Sequence, residues 1–297
     1  MVGELYIDRV STDSLKLGQI EVVPLLDGFI RLDGGAMHGT IPRALWERKN
    51  PPDARNRILM SLRGLLVRGP GYTALVETGL GDHHDADFAD RFAVDRPTPI
   101  VARLAELGVL PADVDLVVDS HLHWDHAGGN VVRDGEVFRP AFPRAEYVVN
   151  RANYEEATHT HERNRASYRA EDFETIAAMR RFRFVEAARY QEVEVAPGLR
   201  VERVDGHADG MQVVYVDGGG QRVAFLTDMA PLASHLDLPW IMGYDLFPVD
   251  TLGAKKRLLP RAAKEGWIVA LVHDPANALG RVRLDDRGRP SFLPLAG

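Results

Sequence analysis

Asp119-Ser-His-Leu-His-Trp-Asp-His-Ala-Gly-Gly-Asn130 sets three histidines and two aspartates within eight positions, directly after the apolar segment Val114 to Val118. Such a pattern reads as a buried strand that runs out into a ligand-bearing loop. His121 and His123 are two apart, so on extended backbone their imidazoles point to the same side. Asp125 and His126 follow where the chain must turn and can aim at a second point nearby. Four donors thus divide into two pairs, and Gly128 and Gly129 permit the close approach and sharp exit such a loop needs. Imidazole with carboxylate suits zinc, and manganese and iron are compatible with it.

The chain offers nothing else to hold a metal. It has no cysteine, which removes disulfides, thiol nucleophiles and thiolate ligands together. With 297 residues, 45% of them hydrophobic, it can bury the core of a large α/β domain. A formal charge of −7 argues against a nucleic-acid binder. The basic clusters Arg163 to Arg169 and Arg180 to Arg183 read as solvated helix faces. Met1 to Asp8 has no basic region leading into an apolar stretch, and no later segment stays apolar for the width of a bilayer, so a soluble cytoplasmic protein is expected, away from membranes.

Along the chain, Gly18 to Asp27 reads as a strand, followed by an irregular glycine-rich loop whose Met37, His38 and Trp46 are expected to be exposed. Ser61 to Val67 and Tyr72 to Thr78 read as a hairpin about Gly69-Pro-Gly71. His83 and His84 are adjacent and point apart, which makes a poor ligand pair. Ile100 to Leu107 has helical spacing closed by Gly108, so a strand, helix, strand unit leads into the motif. Ala145 to Val149 reads as a short strand. Residues 151–179 read as inserted helices, with His159 and His161 exposed. Leu199 to Val204, Gln212 to Val216 and Arg222 to Leu226 read as strands, the last two turning at Gly218 to Gly220. A helix over about 251–264 is expected to break or kink at Pro260, and Trp267 to Val272 reads as the last buried strand. His207, Asp228 and His273 each stand just past an apolar strand, where α/β folds place their sites. One domain is expected, with strand-rich halves at roughly 1–150 and 190–297 around a helical insert at about 151–185.

At these residues the chain resembles the metallo-β-lactamase superfamily of hydrolases over nearly its whole length. The order His121-x-His123-x-Asp125-His126, then His207, Asp228 and His273 matches that superfamily's ligand motifs. The resemblance implies a four-layer αββα sandwich with the metals at one edge. It assigns His121, His123 and His207 to one metal, Asp125, His126 and His273 to a second, and Asp228 to both. The motif segment is similar to that of N-acyl homoserine lactonases, and the layout to methyl parathion hydrolase. Two positions depart from the pattern. Val76-Glu-Thr-Gly79 stands where the family usually has Val-Asp-Thr-Gly. Pro231 stands where lactonases generally carry a tyrosine, leaving Tyr244 or His235 as candidate replacements.

The reading that follows is a dinuclear, zinc-dependent hydrolase of small esters or lactones, in which two neighbouring dications acidify a shared water. Asp125 and Asp228 are the candidate proton carriers. Met37, His38, Trp124, Trp240, Met242 and Tyr244 are candidates for the substrate wall. The partner expected is a small molecule, with a homodimer left open. Phosphotriester or phosphodiester hydrolysis and an iron-dependent dioxygenase are the competing readings. Against a diiron flavoprotein stands His123, at a position where that type needs glutamate.

Overall fold

The computed structural model describes residues 14–295. The reading of Met1 to Asp8 therefore lies outside the described residues. Two seven-stranded sheets follow one another along the chain. The first contains β1 (Leu15–Leu17), β2 (Ile20–Asp33), β3 (Arg57–Gly69), β4 (Tyr72–Val76), β5 (Leu116–Val118), β8 (Glu146–Asn150) and β9 (Phe182–Val185), in that spatial order. A small hairpin, β6 (Val131–Asp134) and β7 (Val137–Pro140), stands apart from it. The second sheet contains β10 (Glu192–Ala196), β11 (Leu199–Arg203), β12 (Gln212–Gly218), β13 (Gln221–Phe225), β14 (Ile268–Ala270), β15 (Leu279–Leu284) and β16 (Pro290–Pro294), again in chain order.

Alternation along the strands decides the layering. Val22, Val67, Val76 and Val118 from the first sheet meet Val201, Val214, Val216, Phe225 and Val272 from the second in one buried core. The opposite faces take helices. Ile100 and Leu104 of helix Ile100–Glu106 pack with Leu75 and Val117 on the first sheet. Leu258, Leu259 and Ala262 of helix Pro248–Glu265 pack with Val213, Tyr215 and Val269 on the second. Each sheet is thus apolar on both faces, as a sheet buried between layers must be. The result is the αββα sandwich.

Several elements differ from the sequence reading. β2 does not stop at Asp27 but continues to Asp33, because a bulge at Leu26/Gly28 shifts its register on β3 and Gly28 takes φ +156° there. Gly34–His38 and Arg43–Trp46 then form short helices, and Met37, His38 and Trp46 are buried rather than exposed. Helix Pro248–Glu265 runs unbroken through Pro260. The last buried strand is not the last strand, since β15 and β16 extend the second sheet beyond β14. The hairpin about Gly69 to Gly71 and the parallel pairing of β4 with β5 are as expected.

No described helix is long and apolar enough to cross a membrane.

Candidate metal centre

Every donor of the site leaves the end of a strand or the loop just past it. β5 ends at Val118 and delivers His121 and His123 on extended chain, after which the short helix Trp124–Ala127 turns Asp125 and His126 towards the same region. Gly128 and Gly129 let this segment press on the β4 exit, where an added Cβ would lie 2.2 Å from Leu80 O and Thr78 O respectively. His207 follows β11, Asp228 follows β13, and His273 follows β14. Glu77, Asp205 and Thr227, each at such a junction, hold positive φ of 62°, 54° and 50°. Backbone strain of this kind persists where the surroundings over-determine it, and it clusters at functional sites.

The structure brings all seven donors together in two sets, His121, His123, His207 and Asp228 in one, Asp125, His126 and His273 in the other, all buried except Asp125, whose side chain is 11% exposed. In the first, His123 Nδ1 stands 3.0 Å from both His121 Nε2 and His207 Nε2. Asp228 Oδ2 lies 3.1 Å from His207 Nε2 and 3.8 Å from His121 Nε2. In the second, His126 Nε2 and His273 Nε2 are 3.3 Å apart, and Asp125 Oδ2 lies 3.6 and 3.5 Å from them. Asp228 reaches this set too, with Oδ2 3.4 Å from His126 Nε2 and Oδ1 3.2 Å from His273 Nε2. Ligands about 2.0 to 2.1 Å from a tetrahedral zinc stand roughly 3.3 Å from one another, so these spacings are those of a ligand shell. The donor chemistry fits two metal ions joined by one carboxylate.

Electrostatics fits as well. Burial, reinforced by the neighbouring histidines, holds His121 and His123 well below the ordinary imidazole range, so they present neutral lone pairs. Burial alone would raise Asp228, but His126, His273 and His207 outweigh it and hold the carboxyl well below its usual range. Burial would likewise lower His126, yet Asp125, Asp228 and Glu77 raise it. Cations in this place would replace protons shared among these groups.

A further layer orients the rings. His121 Nδ1 is 2.9 Å from Ser120 Oγ, His207 Nδ1 is 3.0 Å from Asp245 Oδ1, and His273 Nδ1 is 2.8 Å from Ser61 O. Glu77 Oε2 stands 2.9 Å from His126 Nδ1. Asp245 in turn accepts from Thr251 Oγ1 at 2.6 Å. Fixing the outer ring nitrogen sets which nitrogen is free to coordinate. Glu77 was visible as a departure from a motif. Asp245 was not, since it lies 38 positions from His207 on an irregular loop.

An apolar cavity of about 150 Å³ opens on His123, Asp125, His207, Asp228 and His273. Met37, Trp124, Met242 and Tyr244 line it. Leu32, Met60, Phe92 and Ser167, which the sequence did not single out, line it too. His38 and Trp240 do not. They form a buried stack behind the wall, with His38 parallel to Trp46 at 5.0 Å, edge-on to Trp240 at 5.6 Å and bonded to Gly34 O. This corrects their expected place, because the rings of His38, Trp46 and Trp240 bury their area against one another rather than on the cavity. The other histidines stand outside the cluster: His83 pairs with buried Asp172 at 2.6 Å, and His159 and His161 are exposed. Pro231 carries no hydroxyl, and its carbonyl accepts from His273 N at 3.1 Å. Tyr244 is the candidate replacement that reaches the cavity; the residue is 39% exposed, but desolvation about its hydroxyl, with Asp33 and Asp125 nearby, pushes the group up to about 12.

His235, the other candidate, instead donates from Nε2 to Met37 O at 2.8 Å and faces His38 at 5.2 Å. The carbonyl can only accept, so His235 Nε2 carries the proton. Burial and His38 push this imidazole down to about 3. The unfolded chain therefore takes up a proton that the native one refuses as pH falls from about 6.5 towards 3, and stability falls across that window. In chelator-treated protein, His235→Gln is expected to lose roughly 2 kcal/mol less than wild type between pH 7.5 and 4.5 by urea denaturation. Equal losses would discard this account.

A strand-end cluster of buried histidines and aspartates at the edge of an αββα sandwich defines a metal-dependent hydrolase. The family model of the metallo-beta-lactamase superfamily matches residues 64–273, and the chain belongs to that superfamily. It is 29% identical over 214 residues to an N-acyl homoserine lactonase of Bacillus cereus, covering 67% of this chain and 76% of that one. It is 30% identical over 185 residues to N-acyl homoserine lactonase AttM of Agrobacterium fabrum, covering 61% of this chain and 66% of the relative. Among solved structures, a probable metal-dependent hydrolase from Staphylococcus aureus superposes with a TM-score of 0.85 at 24% identity, covering 95% of this chain and 99% of that one. AidC, a dizinc quorum-quenching lactonase solved with a product, superposes with a TM-score of 0.79 at 19% identity, covering 96% and 97%.

Proposed function

We propose that this protein is a dizinc hydrolase of small carboxylic esters or lactones. The observation that carries the reading is the joining of two buried donor sets by the single carboxylate of Asp228, directly beneath an apolar cavity. His121, His123 and His207 would hold one ion, Asp125, His126 and His273 the other, with Asp228 between them. Two such ions supply Lewis acidity and an acidified water, which replaces the serine or cysteine nucleophile of other hydrolases. The relatives named as lactonases support a lactone or ester over a phosphorus centre.

The chain's own groups then have distinct tasks. Met37, Trp124 and Met242 would seat the apolar part of the substrate and exclude water from it. Asp125 and Asp228, both in the cavity wall, would carry the proton towards the leaving oxygen. Tyr244, held protonated, would donate a hydrogen bond to an oxygen of the scissile group. The reading includes one domain and action in the cytoplasm.

Metal analysis of protein purified without chelator is expected to find about two zinc ions per chain. With metal restored, lactones and aryl esters should turn over faster than phosphodiesters and phosphotriesters. Preference for the phosphorus substrates would overturn the substrate class, and one tightly held iron would favour the dioxygenase reading.

A further inference from the structure

Beside the apolar cavity lies a polar one of about 170 Å³ that opens on the same two histidines, His123 and His207. Ser167 and Tyr244 line both and so stand at the seam between them. Arg163 lines the polar cavity alone. Its Nη2 donates to the carbonyls of Gly243 at 2.8 Å and Asp245 at 3.2 Å. Both partners are neutral, and no carboxylate among the described residues pairs with this guanidinium. Arg163, itself exposed, therefore brings a positive charge without an ion-pair partner among the described residues to the rim of a small pocket at the metal centre, with Nε and Nη1 free of protein partners there. Arginine held this way matches a carboxylate, whose two oxygens fit the planar fork. Away from the donors at its floor, the neighbouring cavity is lined by methionine, leucine and aromatic side chains, where a carboxylate would lose its hydration without a counter-charge.

We propose that the polar cavity is the subsite for a carboxylate borne on the alcohol half of the substrate, with Arg163 as its counter-charge and the apolar cavity taking the acyl half. This rests on the hydrolase reading above and narrows its substrates to esters or lactones that are apolar on one side of the scissile bond and anionic on the other. Arg163 is here a specificity residue. It ties the loop that carries Tyr244 and Asp245, so total activity alone cannot report its role.

The test uses the full-length zinc-loaded protein and two matched esters, 4-(hexanoyloxy)benzoate and its methyl ester. The quantity read is the ratio of their kcat/KM values, carboxylate over methyl ester, compared between wild type and Arg163→Gln, a comparison that cancels the difference in leaving-group ability. The ratio is expected to fall about tenfold or more in the variant, chiefly through KM of the carboxylate substrate, while the methyl ester changes by less than about threefold. Arg163→Lys should recover part of the preference. An equal fall for both esters would mean that Arg163 only braces its loop, and would overturn the subsite. If wild type cleaves neither ester, the hydrolase reading fails, and calorimetry with 4-hydroxybenzoate still decides the subsite. Affinity about tenfold tighter in wild type than in Arg163→Gln supports it, and equal affinity sinks it.

Discussion

Asp228→Ala leaves a folded protein that holds at most about one metal ion and has lost roughly a thousandfold or more of its ester turnover. No other donor has contacts in both sets of this kind: one oxygen lies 3.1 Å from His207 and the other 3.2 Å from His273. Each set without it keeps three donors, so either can still bind weakly, but the spacing between the two ions is no longer fixed by a common carboxylate. Folding should survive, because the residue sits past the end of β13 and supports no strand of the core. The surrounding histidines lose one of the anions that favour their protonation, and burial favours their neutral form. Metal content by elemental analysis, kcat/KM on an aryl ester and a thermal melt together check the prediction. Two ions retained with unaltered turnover would refute the bridging role. His123→Ala is the contrasting control, since it takes a donor from one set only and, on the proposed assignment, should leave binding at Asp125, His126 and His273 unaltered.

The fold and the donors were legible for one reason, and the wall was not for another. His121, His207, Asp228 and His273 follow apolar strands, which is a local signal, and the parallel pairs β4–β5 and β13–β14, with β11 two antiparallel steps from β13, carry these strand ends to one edge. The wall depends on rotations that no local pattern records. Met37 faces the cavity while its neighbour His38 turns away, and Trp240 goes into the stack while Met242 and Tyr244 come out. Asp245 was invisible because its partner is far off in sequence. β15 and the edge strand β16 are not legible because they interleave arginine, serine and proline with their apolar residues and imitate loops. Gly28 misled in the opposite direction, since a glycine that accommodates a bulge inside β2 looks like one that ends a strand.

Glu77→Ala weakens metal binding at the second donor set by roughly ten- to a hundredfold while leaving all seven donors in place. Glu77 is 1% exposed and does two things from a left-handed backbone position just past β4. Oε1 accepts from Ser120 N at 3.0 Å, and Oε2 stands 2.9 Å from His126 Nδ1. The first contact ties the β4 exit to the loop that bears His121 and His123. The second directs His126 Nε2 towards Asp125, Asp228 and His273. An alanine leaves the buried Ser120 amide without its partner, which costs about 1 to 3 kcal/mol before any metal is considered, and removes the carboxylate beside His126 Nδ1. Glu77→Asp separates the two tasks, because a side chain one methylene shorter that keeps the contact to Ser120 cannot also reach the ring unless the backbone moves. Glutamate is then required by this backbone rather than tolerated in place of aspartate. Competition with a chromophoric zinc chelator reads the affinity of each ion. Glu77→Ala is expected to release one ion well before the other, and two unchanged affinities would remove Glu77 from the support of the site.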